Sequence, residues 1–98
     1  MATKVDQAQL ARDMRRKFAI LSAFGRYELL TAAELVERTG IPDITIKRQI
    51  SKLNDEFKMN IAFERGKGSV GKSGYYAVYD WGIIDKEEFM LQYGWLVK

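Results

Sequence analysis

Two stretches of the chain carry residue types at spacings suited to handling phosphate. In the first, Gly66, Gly71, Lys72 and Ser73 match the pattern of Gly, four residues, Gly, Lys and Ser or Thr. In that pattern backbone amides cradle nucleotide phosphates and the hydroxyl holds magnesium. The chemistry needs a helix to begin directly after the loop, so that its N-terminus faces the phosphates. Here GYYAVY follows over residues 74–79, an aromatic and branched run that reads as a strand. Asp80, the only later carboxylate preceded by apolar residues, follows Lys72 too closely to lie on a separate neighbouring strand as a magnesium ligand. The match is therefore not read as a nucleotide site. Arg65, Lys67 and Lys72 are expected instead on a hairpin tip, where glycines keep the loop slim and the bases meet phosphates or a minor groove. The plainer reading of the same residues is a basic surface loop.

The second stretch is DITIKRQISKL, residues 43–53. At helical spacing Ile46, Ile50, Leu53 and Phe57 make one apolar face. The opposite side holds Ile44, Arg48, Ser51 and Lys52, flanked by Thr45 and Lys47. Arg can bond guanine bidentately, hydroxyls can bond bases or phosphate, and an exposed Ile can touch a thymine methyl. Such a face suits a major groove, and it equally describes an ordinary solvated basic helix. The residues before it favour the groove.

Positioning those side chains requires a helix pair. Thr31 and Glu34 have capping-box spacing, so a short helix begins near Ala32. Gly40 and Pro42 end it, and Asp43 is placed to cap the next helix. Upstream, Asp6 with Gln9 suggests another cap. Leu10, Met14, Phe18 and Leu21 then continue at helical spacing to Phe24, with Gly25 as the stop. Residues 27–30 read as a loop or very short strand. Downstream, residues 54–58 close the third helix, and Ile61 and Phe63 alternate with polar neighbours as a strand. Residues 75–81 form its partner. Asp85 with Glu88 opens a last short helix that Gly94 stops, followed by the apolar Trp95, Leu96 and Val97.

Composition narrows the function classes. The 98 residues contain no Cys and no His, which removes thiol nucleophiles, disulfides, zinc fingers and histidine acid–base catalysis. No cofactor or metal site is expected. No signal core or membrane-length apolar run is present, so a cytoplasmic protein is the default expectation. The net charge is only +3, but it is segregated. Residues 1–26 hold six bases and two acids, 43–52 three bases and one acid, and 65–74 three bases and no acid. The segments 27–42, 53–64 and 75–98 each sum to −2. If the basic segments share a face, that face binds a polyanion. The bases of the first helix, Arg12, Arg15, Arg16 and Lys17, read mainly as a solvated face.

Taken together, the order of helix, helix-turn-helix and basic hairpin resembles the winged helix-turn-helix domain of small stand-alone bacterial transcription regulators. Leu35, Val36, Gly40, Ile41, Thr45, Ile46, Arg48 and Leu53 carry the resemblance. It implies an α+β winged helix-turn-helix fold: a three-helix core, a two-stranded β-hairpin wing and a short C-terminal helix. The expected extents are helix-turn-helix 31–57, wing 59–81 and C-terminal helix 85–93 within one domain, 1–98. It further implies a non-enzymatic, sequence-specific partner of double-stranded DNA. Thr45, Lys47, Arg48 and Lys52 would face the major groove, and Lys67 and Lys72 the backbone or minor groove. Ile44, Ser51 and Arg65 join them from the helical wheel and the hairpin reading. The chain departs from the pattern at Pro42, where a capping Ser is common, and carries no effector domain. Such modules usually act as homodimers on half-sites about 34 Å apart. Phe89, Met90, Tyr93, Trp95 and Leu96 are the expected dimer surface, although they equally suit the domain's own core. A winged helix used for protein–protein contact is the alternative function.

Overall fold

The computed structural model describes residues 11–65 and 74–97. Its elements are α1 (Arg12–Arg26), α2 (Ala32–Thr39), α3 (Asp43–Glu56), β1 (Asn60–Arg65), β2 (Gly74–Asp80) and α4 (Lys86–Tyr93), closed by a 3₁₀ turn at Gly94–Leu96. This is the α+β order of helices and two-stranded hairpin that the resemblance implied. The expected cap at Asp6 and Gln9, the apolar Leu10 and the glycine-rich stretch 66–73 lie outside the described residues. The element that follows residue 73 is the strand β2, so the helix N-terminus required by a phosphate cradle does not occupy that position.

Local chemistry sets the helix-turn-helix. The Thr31 hydroxyl accepts from the Glu34 amide at 3.1 Å, and the Glu34 carboxylate accepts from the Thr31 amide at 2.9 Å, completing the capping box. Gly40 ends α2 in the left-handed region, with φ 73°. Its amide donates to the Val36 carbonyl. In the turn, the Thr39 hydroxyl donates to the Leu35 carbonyl at 2.6 Å and accepts from the Ile41 amide at 3.2 Å. Pro42, not Asp43, occupies the N-cap position of α3 and supplies no side-chain cap. Asp43 lies in the first turn, where a carboxylate is favoured by the helix dipole, and pairs with Lys47 at 3.3 Å.

The core forms where the apolar faces of the three helices meet. Ile20, Leu21, Leu30, Leu35, Ile46 and Leu53 are fully buried there. The hairpin is antiparallel, with Ile61 opposite Val78 and Phe63 opposite Tyr76, and its register shifts between Asn60 and Ile61. Leu30 pairs with Tyr76 on the other edge of β2, through amide-to-carbonyl bonds of 3.2 and 2.7 Å. The segment between α1 and α2 is thus a one-residue strand. At the root of the wing, the Asn54 side chain accepts from the Ile61 amide at 2.9 Å and donates to the Ile61 carbonyl at 3.1 Å. One amide side chain thereby imitates a neighbouring strand and fixes β1 to the end of α3.

Two local expectations are corrected, at Gly25 and Phe63, and one is refined at Gly94. Gly25 does not stop α1, which runs on to Arg26. A Cβ at Gly25 would stand 2.2 Å from the Met90 sulfur, so its role is to let α4 approach α1. Gly94 ends α4 as expected, in the right-handed region, and the chain continues as the 3₁₀ turn. Its carbonyl accepts from the Ser22 hydroxyl at 3.0 Å and from Arg26 Nε and Nη2 at 3.1 and 2.9 Å, which pins the C-terminal segment to α1. Phe63 does not share the burial of Ile61. It is half exposed and packs edge-on against Tyr76, because β1 extends beyond the helices.

Candidate nucleic-acid interface

Burying Ile46, Gln49, Ile50 and Leu53 leaves the other side of α3 to solvent. Ile44, Lys47, Arg48 and Ser51 are exposed on that side, and Lys52 is half-buried at its edge. Ile44 is 69% exposed. A branched apolar side chain held in water gains nothing for the fold, whereas it can contact a thymine methyl. Arg48 is exposed on the same face, and among the described residues no carboxylate forms an ion pair with it.

Thr45 departs from the helical wheel. It is only 8% exposed and belongs to the face buried beneath α3. The wheel put it at a flank, but the other two helices cover more of α3 than Ile46, Ile50 and Leu53 require. Thr45 and Gln49, one helical turn apart, are both drawn under.

Gln49 was not singled out by its sequence position, although a polar residue between Ile46, Ile50 and Leu53 is the signal that would have found it. Its amide nitrogen donates to Asp13 of α1 at 2.6 Å. Asp13 also receives the ammonium of Lys17, one turn along α1, and Lys17 is itself buried. These donors, Lys17 first and Gln49 second, hold the Asp13 carboxyl below the usual aspartate value of 3.8, and Lys52 adds a weaker pull in the same direction. The network fixes the first turns of α1 against the middle of α3. The Gln49 carbonyl oxygen is buried without a partner.

On the wing, Arg65 is exposed at the end of β1. Lys67 and Lys72 lie outside the described residues. Along the hairpin, the Tyr79 hydroxyl donates to Glu64 at 2.9 Å, and that hydrogen bond, with burial adding to it, raises the phenol above its usual value of 10.0. The wing therefore presents aromatic and acidic groups along its described length, with Glu64 directly before Arg65.

At the C-terminal surface the second of the two expected roles, covering the domain's own core, holds for most of the five residues. Phe89 is buried, and Phe18, Phe89 and Tyr93 form one aromatic cluster with centroid separations of 4.6–5.4 Å. Met90 fills the space above Gly25, and Leu96 is half-buried. Of the five residues, only Trp95 is exposed. Leu91, which was not among them, is 79% exposed on the outer side of α4. The α4 residues at helical spacing toward α1 are spent on the core, which turns Leu91 outward.

Among the described residues no helix is long and apolar enough to cross a membrane. Comparison with known proteins gives no match to a curated protein or to a solved structure. A family model described as winged helix-turn helix matches residues 11–93. That span takes in the capped helix pair, the exposed face of α3 and the hairpin that follows it, and this chain belongs to the winged helix-turn-helix family.

Proposed function

We propose that this protein binds double-stranded DNA in a sequence-specific way and acts inside the cell as a transcription regulator without catalysis. The observation that carries the reading is the outer face of α3, where Ile44, Lys47, Arg48 and Ser51 stand free of the core on a rigid, doubly anchored helix. In this reading α3 enters the major groove. Arg48 reads a guanine, Ser51 and Lys47 bond bases or phosphates, and Lys52 contacts backbone. The wing, through Arg65, Lys67 and Lys72, lies on the adjoining backbone or minor groove.

The test is fluorescence anisotropy of a labelled random-sequence duplex, titrated with the protein at several salt concentrations. Affinity should fall log-linearly with salt, with a slope that counts the phosphates neutralised. Selection of a preferred site from a random pool should follow. Absence of binding even at low salt would reject this reading.

A second reading is favoured by one feature, the exposed apolar Leu91, Trp95 and Ile83 in the C-terminal third. In that reading the domain contacts another protein. The two combine if that surface joins two copies, so that paired α3 helices meet successive turns of one duplex face.

A further inference from the structure

We infer that the first two turns of α1 form a second phosphate-binding surface, which grips the DNA backbone at the end of α3 opposite the wing. The inference rests on the DNA-binding reading above and adds residues which that reading does not use.

Arg12, Arg15 and Arg16 line a groove of about 240 Å³ together with Thr39 and Ile41 of the helix-turn-helix turn and Leu96 of the C-terminal segment. No carboxylate is among the described residues that line it. Asp13, the acid nearest in sequence, is engaged by Lys17 and Gln49. The Thr39 hydroxyl is occupied as both donor and acceptor within the turn, so binding capacity in the groove belongs to the guanidiniums of Arg12 and Arg16. Arg12 and Arg16, one turn apart on α1, repel one another, and an anion between them offsets that repulsion while accepting planar, paired hydrogen bonds.

Position identifies the anion. Thr39 and Ile41 immediately precede α3, so the groove lies at the N-terminal end of that helix. Asn54 ties β1 to its C-terminal end. A helix lying in a major groove about 12 Å wide has a phosphate backbone on each side. The arginine groove and the root of the wing lie at opposite ends of α3, so a helix set at an angle across the groove brings one of them toward each backbone. The groove is also smaller than the roughly 300–1,000 Å³ typical of pockets that enclose an organic ligand, whereas one phosphate needs no enclosure. The basic segment 1–26, read from sequence mainly as a solvated face, thereby joins the polyanion surface.

The experiment measures anisotropy on the same random-sequence duplex across a salt series, using the full chain. The variants are Arg12→Gln/Arg16→Gln, the charge-preserving Arg12→Lys/Arg16→Lys, and Lys86→Gln on α4 as a remote charge control. Thermal melts verify that each is folded, and neither arginine lies in the core. If Arg12 and Arg16 each neutralise one phosphate, the glutamine variant should show a slope of log affinity against log salt about 1.8 shallower than wild type. The preferred site should stay unchanged, the lysine variant should keep the slope, and so should Lys86→Gln. A glutamine variant with the wild-type slope would overturn the inference and leave the DNA-binding reading standing. An equal change in Lys86→Gln would also overturn it, by showing diffuse attraction rather than a contact. No binding by the wild-type protein would defeat both.

Discussion

Arg48 lies where the exposed face of α3 gives way to the buried one. It is exposed while Gln49 and Ile50, the next two residues, are buried. If it reads a guanine, Arg48→Ala should weaken binding to a selected site by about 1–3 kcal/mol and relax preference at one base pair. Competition binding against single-base variants of the site measures both effects. Thr45 is buried, so its substitution should register in folding stability rather than in base preference. Asp13 makes a prediction in pH. Its carboxyl titrates near 3.8 in the unfolded chain and lower in the folded one, because Lys17 and Gln49 donate to its charged form. The folded state therefore gains from Asp13 above that value and loses the gain as pH falls through the lower folded pKa. Urea midpoints of the wild type should drop in this acid range more steeply than those of Asp13→Asn, and parallel curves would show that the network contributes nothing to the fold.

At the scale of elements, two glycines separate backbone strain from crowding. Both Gly40, at the helix-turn-helix turn, and Gly82, between β2 and α4, have positive φ, at 73° and 62°. A Cβ at Gly40 meets open space, whereas at Gly82 it would stand 2.1 Å from the Phe57 carbonyl oxygen and 2.5 Å from Lys58 backbone atoms. Gly40→Ala should therefore cost only the left-handed penalty, about 1–2 kcal/mol. Gly82→Ala adds a backbone collision to the same penalty and should cost on the order of 3 kcal/mol. Chemical denaturation of the two variants side by side measures the difference, and equal losses would show that the turn at Gly82 gives way freely. The collision matters for the interface because the Ile83 amide donates to the Phe57 carbonyl at 2.9 Å. This turn thus packs against the chain where α3 ends and the wing begins.

At the scale of the molecule, the C-terminal segment divides its apolar residues between two tasks. Phe89, Met90 and Tyr93 hold α4 against α1, and three donors from Ser22 and Arg26 converge on the Gly94 carbonyl. Leu91 and Trp95 are left outside. If that outer surface joins two copies, Leu91→Glu should shift the protein from dimer to monomer in sedimentation velocity without lowering its thermal midpoint, and it should weaken binding to a palindromic site more than to a half-site. A wild-type monomer at all concentrations would reject the dimer.

The residues alone determined the order of elements and most of their ends. Capping at Thr31, the left-handed Gly40 and the alternation at Ile61 are local, and local backbone chemistry acts over a few residues whatever the rest of the chain does. The resemblance carried by residues 30–53 led to the same winged helix fold. What sequence could not decide depended on contacts between distant segments. A glycine that stops a helix and one that admits a neighbouring methionine look alike until α4 is placed against α1, as at Gly25. A helical wheel ranks residues by angle, but only the packing of α1 and α2 sets how wide the covered arc is, and that arc took in Thr45 and Gln49. The five C-terminal apolar residues carried no information on which side faces the core. The same holds for the basic segment of α1, which lines one groove with the turn into α3 and is tied to that helix where Gln49 donates to Asp13 across 36 positions of sequence.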